Sequence, residues 1–273
     1  MSAQRWDLHA NGQRFIHTKH AFTDSASYFL GIGVDPPQRI GDVSLSADPA
    51  TDQTTAFDDR QFFERDLVNL IRSGRTWFGE HYDVVDFYNW VFAVPYLRPQ
   101  DTITLVVDGM ARTLEQVGES LTSGFDLTAG GFSTSWVEEG FPENYAGNFA
   151  VPFQEIFQFT HDQGTLPVTI TFDPHDPITS QAWMNYLEMN CRRDLKFVGD
   201  QLHFRDLRSV QPGAISEFTV DLAQNVFRIW EITDPTVVGN VPFTDAGAQK
   251  SFRLSTDVLR HFVAFKNSGF LSP

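Results

Sequence analysis

The single cysteine of the chain, Cys191, is the strongest nucleophile among its side chains. In an extended strand Cys191 shares a face with Met189, Leu187 and Trp183, and only Asn185 interrupts that apolar face. Such surroundings disfavour the thiolate, and the thiol then behaves as a small hydrophobic side chain. We therefore predict that Cys191 is a core residue and takes no part in catalysis.

No other motif for covalent or phosphate chemistry is present in the sequence. There is no Gly-x-Ser-x-Gly sequence, no phosphate-binding loop and no His-Glu-x-x-His motif. Gly31-Ile32-Gly33 lacks the third glycine and the following helix of a dinucleotide-binding turn, so we interpret it as an ordinary turn. The sequence thus predicts no catalytic, cofactor-binding or metal-binding residue in this chain.

One oxygen-rich turn, Asp173-Pro174-His175-Asp176, is a candidate for calcium, and Asp58-Asp59 and the pair Asp48 and Asp52 are weaker candidates. Calcium takes about six to eight oxygen ligands, and two carboxylates from one turn fall well short of that number. Aspartates that bond to the backbone of their own turn explain the same residues more simply. Calcium near Asp173 and Asp176 is therefore only a weak alternative to a chain without cofactors.

Charge and composition exclude several classes of function. The chain has 20 Lys and Arg against 35 Asp and Glu, and this formal net charge of -15 argues against nucleic acid or anionic lipid as a partner. No run of about 18 apolar residues occurs, so no transmembrane helix is expected. Residues 1–7 lack the apolar stretch of a signal peptide. One cysteine excludes an internal disulfide.

Short alternating runs predict β-strands along the whole chain. The clearest are residues 14–17, 102–107, 168–172, 218–222 and 227–232. Turn signals separate them, namely Asp35-Pro36-Pro37, Arg98-Pro99-Gln100-Asp101, Asp108-Gly109, Gly130-Gly131, Asp173 to Pro177, Gln211-Pro212-Gly213 and Asp234-Pro235. This rhythm is typical of an antiparallel β-sandwich, and we expect an all-β fold with a second, smaller β-module.

Helical signals are few. Residues 67–73, continuing from 61–66, suit either a short helix or an extended strand. Residues 256–262 are a second candidate helix, with Ser255 as its N-cap. Neither segment is long enough to organise a βαβ unit, so a parallel sheet is not expected.

Carbohydrate binding is an alternative that the aromatic residues keep open. Trp77, Trp90, Trp136 and Trp183 would stack on sugars if a sandwich exposed them beside a groove. Aromatic residues at strand spacing are more often core residues, and a core location of Trp77 and Trp183 would count against this function.

Three longer motifs, in order along the chain, resemble those of one family. They are Ser73-Gly74-Arg75-Thr76-Trp77-Phe78-Gly79-Glu80, Asn185-Tyr186-Leu187-Glu188-Met189-Asn190-Cys191-Arg192-Arg193-Asp194-Leu195 and Ile229-Trp230-Glu231-Ile232-Thr233-Asp234-Pro235. They are similar to Ser-Gly-Arg-x-Trp-Phe-Gly-Glu, Asp-Tyr-Ile-Glu-Ile-Asn-x-x-Arg-x-Leu and Val-Trp-Asp-Ile-Thr-Asp-Pro of the PorU family, the gingipain-related sortases of type IX secretion. Shorter similarities are at Tyr28-Phe29-Leu30, 63–69, 201–206 and 261–265.

The resemblance implies that this chain is a non-catalytic β-module that precedes a cysteine peptidase domain. Proteins of this family remove the C-terminal sorting domains of secreted cargo and attach the cargo to anionic lipopolysaccharide, at the outer-membrane surface of Bacteroidetes. The implied partners are the protein's own peptidase domain, cargo sorting domains and outer-membrane components of type IX secretion. The catalytic His and Cys belong to the peptidase domain, and Cys191 matches a non-catalytic family position.

On this interpretation the chain divides into a strand-rich region 1–73, a β-sandwich domain 74–198 and a β-module 199–273 that leads to the peptidase domain. Two alternatives stay open, a stand-alone surface adhesion or carbohydrate-binding sandwich and an enzyme whose active site is not recognised.

Some packing roles are also expected from the sequence. We expect Trp77 and Phe78 to be buried at the start of a strand, and Arg75 and Glu80 to pair with neighbouring polar groups. Trp230 and Ile232 alternate on one face with Arg228, which predicts a strand with one packed face and one exposed edge.

Overall fold

The structure is a computed structural model of the 273-residue chain, and it describes residues 4–19, 39–72, 74–116, 119–143 and 147–269. The motif residue Ser73, the turns at Gly31-Ile32-Gly33 and Asp35-Pro36-Pro37, and the strand at Tyr28-Phe29-Leu30 lie outside the described residues. In chain order the strands are β1 (Gln4–Leu8), β2 (Phe15–Lys19), β3 (Asp52–Thr54), β4 (Ala56–Glu64), β5 (His81–Tyr82), β6 (Phe87–Ala93), β7 (Ile103–Arg112), β8 (Leu114–Glu115), β9 (Thr122–Ala129), β10 (Phe132–Glu139), β11 (Phe141–Pro142), β12 (Val151–Phe159), β13 (Thr165–Asp173), β14 (Gln181–Asp194), β15 (Gln201–Phe204), β16 (Ile215–Val220), β17 (Arg228–Glu231), β18 (Gly239–Asn240), β19 (Thr244–Ala246), β20 (Gln249–Ser255) and β21 (Phe262–Phe265).

The all-β prediction is confirmed. Within the described ranges the helical structure is a single 3-10 turn, Leu207–Ser209, and no helix there is long and apolar enough to cross a membrane. Neighbouring strands pair mostly antiparallel, and the two parallel pairs, β3 with β16 and β8 with β11, are two or three residues long.

The chain forms two compact units, and both are discontinuous in sequence. The first contains residues 1–26 and 60–191, and the second contains residues 27–59 and 192–273. This division differs from the boundaries expected at 73 and 198. The boundaries after residues 59 and 191 fall inside β4 and β14 instead of in loops, so no turn signal in the sequence marks these two.

The first unit is a β-sandwich. One sheet has the strand order β10-β9-β13-β6, and the other has the order β12-β7-β14-β4 with β5 paired to β14. Alternate residues of both sheets point into one hydrophobic core, because successive side chains of a strand face opposite sides. Buried members of this core include Leu105, Val107, Phe125, Leu127, Val168, Ile170, Leu187 and Met189.

A β-bulge in β14 changes which of its side chains reach that core. The pairing of β14 with β7 shifts between Met184 and Tyr186, so that Asn185 is an extra residue. Cys191 lies in the core with Leu187 and Met189, as predicted, and is 4% exposed. Trp183 does not share their face, in contrast to our expectation, because the extra residue moves it to the opposite side of the sheet.

Two dipeptides predicted as turns, Gly130-Gly131 and Asp108-Gly109, differ in the structure. Gly130 and Gly131, with φ angles of 54° and 95°, form the predicted two-residue turn between β9 and β10. Asp108-Gly109, in contrast, lies inside β7, so this turn prediction is wrong. A Cβ on Gly109 would lie 2.5 Å from the Trp183 carbonyl oxygen and 2.7 Å from the Phe153 ring. Glycine at this position therefore lets the Trp183 backbone and the Phe153 ring approach β7 closely.

Neither candidate helix forms. Strand β4 continues to Glu64, and the segment after it pairs with Phe78 through Val68. Residues 256–261 are irregular because tertiary hydrogen bonds engage their polar groups. The Thr256 N–H donates to the Ala214 carbonyl at 2.9 Å, and the Asp257 carboxylate accepts from the Gly213 N–H.

The second unit contains two four-stranded sheets, β15-β21-β17-β18 and β19-β20-β16-β3, around a phenylalanine-rich core. Fully buried members include Phe57, Phe204, Phe218 and Phe262. The second unit is built of β-strands, as expected for the second β-module.

Strand β17 differs from the prediction made for it. Ile229 and Glu231 are buried and form its packed face, and Trp230 on the other face contacts Phe265 edge-on at 4.7 Å between ring centroids. However, β17 pairs with β21 on one side and β18 on the other, so its edge is not exposed.

A buried ion cluster follows the second unit boundary. Arg192 Nη1 donates to Asp58 and to Asp206, each at 2.7 Å, and Arg193 donates to Asp59 at 2.7 Å. Burial by itself lowers the pKa of Arg192, but the hydrogen bonds and charges of Asp206 and Asp58 raise it above its usual value. Arg192 therefore stays protonated inside the second unit.

Candidate functional site

An open groove in the first unit contains most of the Trp-Phe-Gly-Glu motif. It consists of two cavities of about 460 and 450 Å³ that share Leu67 and Val68 in their walls. Both volumes lie within the range of roughly 300–1,000 Å³ found for ligand pockets. We call residues 65–70 its first arm and residues 76–80 its second arm.

Backbone hydrogen bonds hold the two arms together. The Val68 N–H donates to the Phe78 carbonyl at 3.0 Å, and the Phe78 N–H donates to the Val68 carbonyl at 2.8 Å. The Gly79 N–H then donates to the Met184 carbonyl at 2.8 Å, which fixes the second arm on β14. A Cβ on Gly79 would lie 3.0 Å from Arg65, so glycine gives a close fit where the arms meet.

The inner end of the groove is polar. Strand β5 pairs with β14 so that His81 lies opposite Trp183, and their rings stack at 4.9 Å with an interplanar angle of 7°. Glu80 is 5% exposed and accepts from Arg65 Nη1 at 3.3 Å. Tyr88 donates its hydroxyl hydrogen to the His81 carbonyl at 2.9 Å. The His81 Nε2 atom is buried and has no hydrogen-bond partner among the described residues.

Electrostatics at this end favour hydrogen bonding over proton transfer. Burial and the neighbouring charge of Glu80 raise the pKa of Tyr88, so its phenol keeps its proton at neutral pH. The described lining of both cavities contains no serine, threonine or cysteine. The described lining therefore lacks the hydroxyl and thiol nucleophiles of serine, threonine and cysteine enzymes.

The outer end of the groove is apolar with a basic rim. Leu67, Val68 and Trp77 are 57%, 36% and 45% exposed, and the exposed Arg72 lies beside them. The Asn69 side-chain amide donates to the Thr76 carbonyl at 3.2 Å, and this bond holds the connecting loop.

The prediction that Trp77 and Phe78 are buried is confirmed for Phe78 and wrong for Trp77. Phe78 is 4% exposed and packs with Ala150 and Trp183, as expected. Trp77 is exposed, because it is the neighbour of an inward-facing residue in an extended segment and therefore points the other way. The expected polar partner is confirmed for Glu80, which pairs with Arg65.

The other tryptophans considered for sugar binding are packed inside the first unit. Trp90 is 7% and Trp183 is 4% exposed, and Trp136 stacks on Phe125 at 4.8 Å between ring centroids. Of the four, Trp77 is the exposed one. His81, Tyr88 and Arg65 were not identified as site residues from the sequence; Arg65 lies in the similar segment 63–69, and His81 and Tyr88 are close in sequence to the Trp-Phe-Gly-Glu motif.

Four of the aspartates considered for calcium have other contacts. Asp58 and Asp59 bind arginines, and the Asp52 carboxylate accepts from the Thr54 hydroxyl at 2.9 Å. Asp176 accepts from the Ile178 N–H at 2.8 Å, which is the expected turn geometry. Among the described residues no three His, Cys, Asp or Glu side chains converge as a metal site would require. Calcium near Asp173 and Asp176 stays a prediction.

The Glu-x-Asn part of the second motif holds the β1–β2 hairpin. Glu188 is 2% exposed and accepts from Arg14 Nη1 at 2.7 Å and from the His17 N–H at 2.9 Å. Asn190 accepts from the Phe15 N–H at 2.7 Å and donates to the Phe15 carbonyl at 2.9 Å. These motif residues therefore have a structural role in the first unit.

His17 is held as an imidazolium in this contact. Burial by itself lowers the pKa of His17, but hydrogen bonds and charges of Glu188 and Glu64 outweigh burial and raise the pKa to about 9. The His17 Nδ1 atom lies 3.0 Å from Glu188 and its Nε2 atom lies 3.6 Å from Glu64.

We expect the stability of the protein to fall between pH 6.5 and about 9 through loss of this proton. The pKa of His17 is about 9 in the folded state and 6.5 in a model peptide, so the stabilisation is complete below pH 6.5 and is lost as the pH rises through about 9. Chemical denaturation across this range measures the slope. The variant His17→Phe should lack the His17 contribution to the pH dependence of the free energy of unfolding. The variant His175→Phe, at an exposed site, should keep it. Equal slopes for wild type and His17→Phe would contradict the assignment.

Comparison with solved structures shows which fold the chain has. It superposes on dimeric latent PorU from Porphyromonas gingivalis with a TM-score of 0.76 and 15% identity, over 97% of this chain and 25% of that chain. The chain therefore has a PorU-like fold and spans a quarter of the length of that protein. A carbohydrate-binding module CBM36, in complex with calcium and xylotriose, matches 42% of this chain and 92% of its own at 15% identity, with a TM-score of 0.27. No protein-family model and no curated protein matches the sequence.

Proposed function

We propose that the chain is a non-catalytic β-module of a PorU-like type IX secretion sortase. The observation that supports this most is the PorU-like fold over 97% of the chain. The three motifs that resemble the family support it independently, because they were recognised from sequence. Removal of cargo sorting domains, attachment of cargo to anionic lipopolysaccharide and a location at the outer-membrane surface are proposed for the parent protein, a gingipain-like cysteine peptidase.

Within that parent, the module serves binding and not catalysis. The one thiol, Cys191, is buried in the sandwich core, and the described lining of the groove in the first unit contains no serine, threonine or cysteine. The proposed partners are the parent's peptidase domain, cargo sorting domains and outer-membrane components of the secretion system.

The proposal is tested in a strain from which the parent gene has been deleted. We expect cargo to keep its sorting domain and to lose its attachment to lipopolysaccharide, as measured by mass spectrometry of cargo C-termini. The wild-type gene and a Cys191→Ser gene should both restore processing, because this thiol is not catalytic. Normal processing in the deletion strain, or in a strain lacking only the present module, would overturn the proposal.

A carbohydrate-binding sandwich is the second candidate, since Trp77 is 45% exposed beside the groove. The core locations of Trp90 and Trp183 count against it. Tryptophan fluorescence during titration with xylan and other oligosaccharides distinguishes the two functions. A saturable change that Trp77→Ala abolishes would favour sugar binding over the sortase module.

A further inference from the structure

We infer that two copies of this chain associate through the open edge of strand β6 in the first unit, as an antiparallel pair of strands centred on Asn89. This inference goes beyond the sortase proposal, because it assigns an interface and its occupant to the chain itself. It rests on the backbone groups of the edge, on the lack of charge there and on the order of the side chains.

The outer edge of β6 carries backbone groups that no described strand pairs. β6 is the last strand of the sheet β10-β9-β13-β6, and β13 is its one partner in the part of the chain that the structure describes. Beyond the end of β6 the Val94 N–H donates to the Gly164 carbonyl at 2.9 Å, so the even-numbered residues of this segment bond towards β13. The N–H and carbonyl groups of Phe87, Asn89 and Val91 therefore point away from the sheet.

Two further hydrogen bonds agree with this alternation. The Phe172 N–H donates to the carbonyl of the even-numbered Asp86 at 2.7 Å. The carbonyl of the odd-numbered Ala93 accepts instead from the Gln61 side chain of β4 at 2.6 Å. The positions that another strand can pair with are therefore 87, 89 and 91.

Strand β6 lacks the features that keep sheet edges from pairing, which are charged residues, proline and bulges. The other three outer strands of the sandwich carry such residues. β10 ends in two glutamates, β12 contains a proline and a glutamate, and β4 contains two aspartates and an arginine. β6, with the sequence Phe-Tyr-Asn-Trp-Val-Phe-Ala, has neither a charged residue nor a proline, and its register with β13 has no shift. Among the four outer strands, β6 is therefore the one best suited to accept another strand.

Exposed apolar side chains accompany this edge. Phe87 is 50% and Val91 is 69% exposed, and both lie with Asn89 on the outer face of the sheet, since alternate residues of a strand share a face. A strand added to β6 would place its own side chains beside them on that face. The occupant must therefore offer backbone groups in register and uncharged side chains that match this order.

A second copy of β6 meets both requirements. In an antiparallel pair centred on Asn89, Phe87 of one copy lies opposite Val91 of the other, and the two Asn89 residues lie opposite each other. Aromatic residues opposite β-branched residues stabilise a sheet. This register also joins outward-pointing positions of both strands, and residues so joined exchange two hydrogen bonds. A shift towards the carboxyl end would use Ala93, whose carbonyl already accepts from Gln61.

The acidic charge of the chain is kept apart in this register. Asp86 is the charged residue that adjoins β6 in sequence, and it would lie opposite Phe92 of the other copy. The two Asp86 residues are then about 20 Å apart along the strands. This distance exceeds the screening length of about 8 Å at physiological ionic strength. Two chains of net charge -15 still repel each other at long range, so added salt should strengthen the dimer.

The test is sedimentation velocity of the full chain over a series of concentrations. We expect a reversible dimer with twice the 30.9 kDa mass of one chain. Asn89→Asp and Asn89→Lys should each weaken the dimer by about fivefold or more, because like charges then lie opposite each other. An equal mixture of these two variants should associate again, since a register centred on this residue places their opposite charges together.

Ser135→Asp is the matched control for Asn89→Asp. Ser135 is exposed on the outer face of β10, at the other edge of the same sheet. The control adds the same charge to the chain and should dimerise as the wild type does. Unchanged thermal unfolding of each variant shows that the fold is retained.

Amide hydrogen exchange, followed by NMR, gives a second readout with residue resolution. The N–H groups of Phe87, Asn89 and Val91 should exchange about tenfold more slowly in the dimer than in the monomer, because pairing removes them from water. Those of Tyr88 and Trp90 bond towards β13 and should exchange slowly in both states.

Three results would overturn the inference. The wild-type chain stays monomeric up to about 1 mM, Ser135→Asp weakens the dimer as much as Asn89→Asp does, or the mixed Asn89 variants fail to associate. The second result would place the interface elsewhere, and the third would exclude this register. Cargo processing by the parent protein is a separate measurement, so none of these results decides the sortase proposal.

Discussion

Replacement of Arg192 by methionine is expected to lower the free energy of unfolding by about 3–5 kcal/mol. Arg192 is 7% exposed and donates to two carboxylates, Asp58 and Asp206, at 2.7 Å each. Methionine has a similar length but no charge, so the variant leaves these two acidic groups without their cation inside the second unit. Denaturant titration followed by circular dichroism measures the change.

Arg253→Met is the matched control in the same unit. Its side chain is 41% exposed and lies 3.3 Å from Glu217, so its loss should cost about 0–1 kcal/mol. A loss for Arg192→Met no larger than that for Arg253→Met would show that the cluster does not stabilise the second unit.

Replacement of Gly109 by alanine is expected to cost about 2–3 kcal/mol. The new Cβ would meet the Trp183 carbonyl oxygen at 2.5 Å, and backbone cannot move aside as the end of a flexible side chain can. The strands β7 and β14 would therefore separate locally next to the bulge at Asn185. Thermal and chemical unfolding, followed by tryptophan fluorescence, report the loss.

Gly124→Ala is the control for Gly109→Ala, because it also lies inside a strand of the first unit. A Cβ there would contact Asp173 at 3.5 Å, which is an ordinary van der Waals distance. We expect its effect to stay within about 0.5 kcal/mol. Equal destabilisation by the two variants would show that the close contact of the new Cβ with the Trp183 carbonyl oxygen is not the cause of the loss.

Two of the three motifs have different places in the first unit. The Trp-Phe-Gly-Glu motif builds the second arm of the groove, while the Glu-x-Asn motif anchors the β1–β2 hairpin. The second motif therefore contributes stability to the first unit, and the pH titration of His17 tests that role.

Much of the fold could be predicted because it depends on local properties. Alternation over a few residues predicts a strand, and paired glycines at 130 and 131 predict a two-residue turn, since both effects act within one segment. Burial of Cys191 was predicted in the same way from its nearest alternate neighbours, Met189 and Leu187. The absence of a nucleophile motif also needed only the sequence.

The candidate site could be predicted only in part. Its second arm was recognised as a motif, but Trp77 was expected to be buried, and His81 was not identified. Exposure of Trp77 depends on which residue of the arm pairs with Val68, and the position of His81 depends on its register opposite Trp183, about a hundred residues away.

The sequence by itself therefore determined that this chain is an all-β protein whose one thiol is a core residue and which has no recognisable catalytic motif. Only the tertiary structure decided that Gly109 lies inside a strand, that a bulge at Asn185 turns Trp183 away from Cys191, and that both units are discontinuous. The physical reason is that strand periodicity is encoded locally, whereas register, bulges and unit boundaries arise from pairing between distant segments.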